Sequence, residues 1–136
     1  MIIKSIGHSG YRCADMEKSL HFYCDVLGIK KVFDLKRDDG TPWIEYLKIC
    51  DGQFIELFHT TPDMLPFALE KLSYAHICLE VFDINEAVEA IRKTGYPIDK
   101  EPKKGTDNNW QAWVVDPDGN RIELMQIDPS SPHANC

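Results

Sequence analysis

The 136-residue chain is predicted to be an α+β protein of two tandem βαβββ modules, on the strength of three recurrences in its sequence. The stretch Gln53-Phe54-Ile55-Glu56-Leu57-Phe58 returns as Asn120-Arg121-Ile122-Glu123-Leu124-Met125, with Asp51-Gly52 before the first copy and Asp118-Gly119 before the second. The offset is 67 for both the Ile-Glu-Leu cores and the Asp-Gly pairs (122−55 and 118−51), and Gly28 maps onto Gly95 at the same spacing. His8 maps onto His76, and Asp15 onto Asp83, at an offset of 68. Each half therefore holds one histidine and one glutamate, about 48 residues apart.

The elements follow in order. Ile3 to Arg12 alternates as a strand, with Ile6, His8, Gly10 and Arg12 on one face. Asp15 is the N-cap of a helix whose apolar stripe is Met16, Leu20, Tyr23 and Leu27, and Gly28 ends it. Ile29 to Lys36 reads as a strand, Asp39-Gly40 as a turn, and Trp43 to Ile49 as a strand joined through Asp51-Gly52 to Phe54 to Phe58. Residues 1–58 make the first module. Residues 59–73, with Pro62 and Pro66, have no copy elsewhere and read as a connector with a helical turn near Phe67 to Leu72.

The second module, residues 74–128, restarts with a strand from Tyr74 to Val81. Asp83 caps a helix with Glu86 three residues on, Ile84, Ala87, Val88 and Ile91 form its buried stripe, and Gly95 ends it. Tyr96 to Lys100 reads as a short strand and Glu101 to Asn109 as a polar loop. Trp110 to Val115 and Arg121 to Gln126 flank the Asp116-Pro117-Asp118-Gly119 turn. Residues 129–136, rich in Ser and Pro, read as a loose tail, and the whole as one domain.

Composition narrows the function. A net charge of −7, a pI near 5.1 and no basic face argue against a nucleic-acid partner. No apolar run approaches the roughly 20 residues of a spanning helix, and Met1 to Ile6 is too short for a signal-peptide core, so a cytoplasmic location away from the membrane is expected. The five cysteines, Cys13, Cys24, Cys50, Cys78 and Cys136, form no C-x-x-C pair and read as reduced thiols, mostly small core fillers.

Alternation puts Glu56 on one face with Phe54 and Phe58, and Ile55 and Leu57 on the other. A carboxylate between two phenylalanines sits either at a wet rim or in a pocket with a partner, because an unpaired buried charge is too costly. His8 and His76 are the available partners. A strand histidine taken alone has a structural reading, and a strand glutamate a solvated one. The recurrence of both types at matching stations favours a mixed nitrogen and oxygen site, His8, Glu56, His76 and Glu123, suited to a divalent Ni, Co, Zn, Mn or Fe ion. His21, His59 and His133 have no counterpart in the other module and stay outside it.

The pattern resembles the vicinal-oxygen-chelate superfamily, which includes glyoxalase I, extradiol dioxygenases, fosfomycin-resistance proteins and methylmalonyl-CoA epimerase. The likeness rests on His8 followed by Asp15-Met-Glu-Lys-Ser-Leu-His-Phe-Tyr23 and Leu27-Gly28, on Ala75-His76-Ile-Cys-Leu-Glu-Val81, and on Val115-Asp-Pro-Asp-Gly-Asn-Arg-Ile-Glu-Leu124. It implies paired modules as curved mixed sheets around a metal-binding cleft, with His8, Glu56, His76 and Glu123 as ligands. Small members are homodimers, with the metal held either within one chain or across the subunit interface.

Glyoxalase I (lactoylglutathione lyase) is the nearest look-alike. It too uses two His and two Glu, with an Arg four residues after its first His, matched here by Arg12. On a strand, Arg12 lies about 13 Å beyond His8 on the same face, within reach of a distant substrate carboxylate; a surface salt bridge is its other reading. Thr60 stands where bacterial glyoxalases carry Asn. The implied activity is isomerisation of a 2-oxoaldehyde hemithioacetal, or a related hydroxy-carbonyl, through an enediolate, with Glu56 or Glu123 shuttling the proton and Glu123 favoured. Extradiol dioxygenases use two His and one Glu, acyl-CoA epimerases carry Gln at the station of Glu56, and drug-sequestering members need no metal. Trp43, Tyr46, Trp110 and Trp113 read as pocket wall or as core and interface, and Lys103-Lys104-Gly105 as a closing or a solvated loop.

Overall fold

The computed structural model describes residues 7–60 and 74–135, which fall in two compact units, Met1–Pro66 and Phe67–Cys136. The first unit contains β1 (His8–Cys13), the helix α1 starting at Met16–Leu20, β2 (Lys30–Lys36), β3 (Pro42–Cys50) and β4 (Gln53–His59). The second contains β5 (Ile77–Glu80), α2 (Ile84–Lys93), β6 (Lys100–Lys104), β7 (Trp110–Val115) and β8 (Arg121–Gln126). Each sheet is mixed. The orders are β1-β4-β3-β2 and β5-β8-β7-β6, with the first and last strands of each unit parallel and the other neighbours antiparallel. The repeated sequence thus folds into a repeated topology.

Alternation decides the faces. In β4, Ile55 and Leu57 are fully buried and pair with the layer that holds Leu47, Phe22 and Tyr23, while Glu56 points the other way. In β8 the buried Ile122 and Leu124 do the same for the second core, with Val114, Ala112 and the Ile84, Val88 and Ile91 stripe of α2. Asp15 and Asp83 are the N-caps, accepting from Lys18 N at 3.2 Å and from Asn85 N and Glu86 N at 2.8 and 2.9 Å. Gly28 and Gly95 end their helices at φ of 73° and 83°, a conformation that penalises any Cβ.

Four local expectations are corrected. The first helix continues from Leu20 as a wider π-helical segment, His21–Val26, in which Leu27 N donates to Phe22 O. The buried side lies on a different phase from the expected stripe from Ser19 onward: Ser19, Phe22, Tyr23 and Val26 are buried, whereas Met16, Leu20 and Leu27 are only partly so. The sixth strand is Lys100–Lys104, not Tyr96 to Lys100, and takes up half of the supposed loop. Its sequence Lys-Glu-Pro-Lys-Lys reads as loop because it is a solvated edge strand, where lysines and a proline are at home. The strand at Tyr74 to Val81 is shorter, Ile77–Glu80. The expected turn near Phe67 to Leu72 lies outside the described residues.

Residues 128–135 are fastened rather than loose. Ser131 is fully buried, Asn135 donates to Pro129 O and Ser131 O at 2.9 and 2.8 Å, and buried Asn109 accepts from Asp128 N at 3.0 Å. Asp128 accepts from Ser130 N, Ser130 Oγ and Lys104 Nζ at 2.8, 2.6 and 3.1 Å. The bonds to Ser130 and then to Lys104 lower its carboxyl pKa to about 2. A carboxylate depressed in the folded state stabilises above its unfolded value of about 3.9, and that contribution is lost as pH falls through the folded value. In an acid titration followed by carboxyl carbon NMR, Asp128 should therefore titrate near pH 2, and Asp128→Asn should remove the acid-sensitive step in the 128–135 signals.

Candidate functional site

The site residues stand on the faces turned away from the two cores. In the first unit β1 lies parallel to β4, so Gly10 is opposite Glu56 and His8 is opposite Phe54. The His8 Nδ1 to Glu56 Oε1 distance is 3.5 Å, with the carboxylate residue 7% exposed and the imidazole open to solvent. At that distance the pair are electrostatic neighbours rather than hydrogen-bonded. Phe54 and Phe58 flank Glu56 along its strand, and Tyr46 faces it from β3. Burial, then the Glu56 carboxylate across from it, raise the Tyr46 phenol above its ordinary value. Its ring stacks on Phe33 with centroids 4.1 Å apart.

Gly10 is closely packed here. A Cβ at that station would stand 3.0 Å from Cε2 of Phe58, whose ring lies over the glycine. Arg12 is exposed on the same face, in register with Phe58 and four residues from His8.

In the second unit β5 lies parallel to β8 and puts Cys78 opposite Glu123. His76, just before β5, brings Nε2 to 3.2 Å from Glu123 Oε2, and Glu123 is again 7% exposed. Trp113 faces Glu123 from β7 and takes the His76 ring edge-on at 5.0 Å. Two cations lie on that indole, Arg121 at 4.7 Å and Lys100 at 5.6 Å. Desolvation at the sulfur, then the charge of Glu123 across from it, push the Cys78 thiol up to about 12, so it is a neutral thiol at physiological pH. The expectation of mostly core cysteines holds for Cys13 alone among Cys13, Cys24, Cys50 and Cys78, since Cys24 is part-buried and the other two are exposed.

Each unit thus joins one predicted histidine to one predicted glutamate. Among the described residues no group of three or more His, Cys, Asp and Glu gathers at one point. The set-aside histidines have structural partners: His21 bonds Asp25 at 2.8 Å, His59 bonds the buried Glu45 at 3.1 Å, and His133 meets Asn109 at 2.9 Å. Cys78, Lys100 and Arg121 were not singled out by sequence. The signal for two of them was in the repeat: Phe33 and Lys100, and Phe54 and Arg121, share the offset of 67 (100−33 and 121−54).

A family model described as Glyoxalase/Bleomycin resistance protein/Dioxygenase superfamily matches residues 5–124. The chain belongs to this superfamily. It is 34% identical over 129 residues to a probable lactoylglutathione lyase of Synechocystis, covering 88% of this chain and 92% of that one. It is also 34% identical to the lactoylglutathione lyase of Neisseria meningitidis serogroup A, covering 88% of each. Among solved structures, a superfamily member from Sphaerobacter thermophilus matches with a TM-score of 0.75 and 25% identity, over 93% of this chain and all of that one. In this glyoxalase-superfamily chain, the Gly10 station should not tolerate a branched side chain. Gly10→Val is expected to cost about 1–3 kcal/mol by displacing Phe58, read as a lower denaturant midpoint with an unchanged slope.

Proposed function

We propose that the chain is a metal-dependent lyase of the glyoxalase I type, isomerising a 2-oxoaldehyde hemithioacetal or related hydroxy-carbonyl, with His8, Glu56, His76 and Glu123 as ligands of one divalent ion. The observation that carries this reading is the matched geometry of the two units, each with an imidazole 3.5 or 3.2 Å from a largely buried glutamate on adjacent parallel strands. The donors fit such an ion: two neutral-capable nitrogens and two carboxylates are the ligand types of Ni, Co, Zn, Mn or Fe. Tyr46 stands across from Glu56, and Cys78 and Trp113 across from Glu123, on the strands that flank each carboxylate. The lactoylglutathione lyases among the relatives support the same activity.

A bound divalent ion would supply Lewis-acid polarisation of the substrate's adjacent oxygens, making the carbon-bound hydrogen between them acidic. The protein's own part is the proton. A glutamate carboxylate takes it from one carbon and returns it to the neighbouring carbon, so that the product is an isomer and no redox partner is needed. Glu123 is assigned the larger share, because the Asp116-Pro117-Asp118-Gly119 segment that leads into it matches the superfamily pattern most closely. Lys100 and Arg121 around Trp113, with Arg12 in the other unit, are suited to the anionic end of such a substrate. A homodimer working in the cytoplasm completes the proposal.

The test is turnover of the methylglyoxal–glutathione hemithioacetal by Ni- and Zn-loaded protein. Glu123→Gln is expected to lower kcat by at least about 100-fold, whereas Arg12→Ala should act mainly by raising KM. A folded wild type that retains no metal, or no turnover with this and other thiol adducts, would sink the reading. Light scattering should give the mass of two chains; a monomer contradicts the assembly.

A further inference from the structure

In the second unit one indole gathers side chains from three other stretches of chain. Trp113 stands on β7 between β6 and β8, in register with Lys100 on one side and Glu123 on the other. Its place is fixed from the backbone outward. Trp113 O accepts from Asp99 N at 2.8 Å. Arg121 lies on the ring at 4.7 Å, with its Nη2 3.6 Å from Asp99 Oδ2, and Lys100 lies on the ring at 5.6 Å. The third partner is His76, whose imidazole meets the indole edge-on, with ring centroids 5.0 Å apart and planes 71° from parallel.

The imidazole depends on such a wall. His76 lies outside the β5–β8 ladder, whose register starts at Ile77, and its side chain is 39% exposed. The approach of Nε2 to Glu123 Oε2 at 3.2 Å restrains one nitrogen and leaves the ring free to turn about that line. An edge-on aromatic contact removes the remaining freedom. Resting on the metal-site reading above, we infer that Trp113 is a positioning residue, whose indole fixes the orientation of the His76 ring as a metal ligand. Arg121 and Lys100 hold the indole in turn, so the wall does not swing with the imidazole. Contacts that orient a ligating histidine are worth about 10–100-fold in metal affinity.

The test measures Zn2+ affinity by competition with a chromophoric chelator, and the mobility of the His76 ring by imidazole carbon NMR relaxation in metal-free protein. Trp113→Leu should weaken Zn2+ binding by about 10-fold or more and free the ring. Trp113→Phe, which keeps an aromatic ring at the station, should lie closer to wild type in both. In a His76→Ala background, where the remaining ligands hold the ion, Trp113→Leu should cost nothing further. The same loss there means that the indole acts otherwise than through His76, and overturns the inference. Wild-type affinity in Trp113→Leu, or an imidazole no more mobile there than in wild type, overturns it too. A wild type that binds no Zn2+ overturns the metal reading instead, and the relaxation comparison then decides by itself whether Trp113 orders the His76 ring. Should Trp113→Leu not fold, nuclear Overhauser effects between the indole and the imidazole in metal-free wild type support the inference, and their absence overturns it.

Discussion

A carboxylate nine-tenths buried on an open sheet face is the constraint to which the rest of each unit answers. Ionised, it costs several kcal/mol to remove from water unless neighbours replace its hydration. Here its neighbours come from adjacent parts of the sheet: an imidazole at 3.5 or 3.2 Å, with Tyr46 across from Glu56 in one unit and Cys78 and Trp113 across from Glu123 in the other. None of these is a permanent cation bonded to the carboxylate. Such a set holds a charge in place without neutralising it, which leaves each glutamate with charge to offer to a cation.

The parallel pairing of β1 with β4, and of β5 with β8, brings the histidine to the glutamate although about 48 residues separate them in sequence. A parallel pair needs a long crossover, and the helix and the two intervening strands of each unit provide it. The cores serve this pairing directly. Ile55 and Leu57 flank Glu56, and Ile122 and Leu124 flank Glu123, so burying one face of β4 and β8 against a helix layer forces the glutamate onto the other. A slip of one residue in either strand would expose the isoleucine and leucine and bury the carboxylate in the core.

That coupling is why so much of the fold and the two His–Glu pairs was legible. Local signals sufficed for Asp15, Gly28, Asp83 and Gly95, whose capping and positive φ follow from residue type, and the Ile-Glu-Leu alternation fixed the faces. What sequence missed depends on contacts it does not display. The lysine-rich edge strand Lys100–Lys104 has no buried face to betray a period of two, and the first helix passes into a π-helical segment that no residue type announces. The tail is held by Asn109, Asp128 and Ser131, polar residues that read as solvated until their bonds are traced.

The repeat also separates what the two units must share from what they are free to vary. His and Glu recur at matched stations, while the residues around them diverge: Phe33 becomes Lys100, Tyr46 becomes Trp113, Phe54 becomes Arg121 and Gly10 becomes Cys78. Stability by itself would not select that division. Apolar residues of similar size at stations 56 and 123 would pack the same sheets without burying a charge, and replacing buried ionic groups by apolar ones is often neutral or stabilising. The two carboxylates are shared while their walls differ, Glu56 flanked by phenylalanines and Glu123 facing an indole that carries two cations. The two glutamates are thus charges that folding tolerates rather than requires.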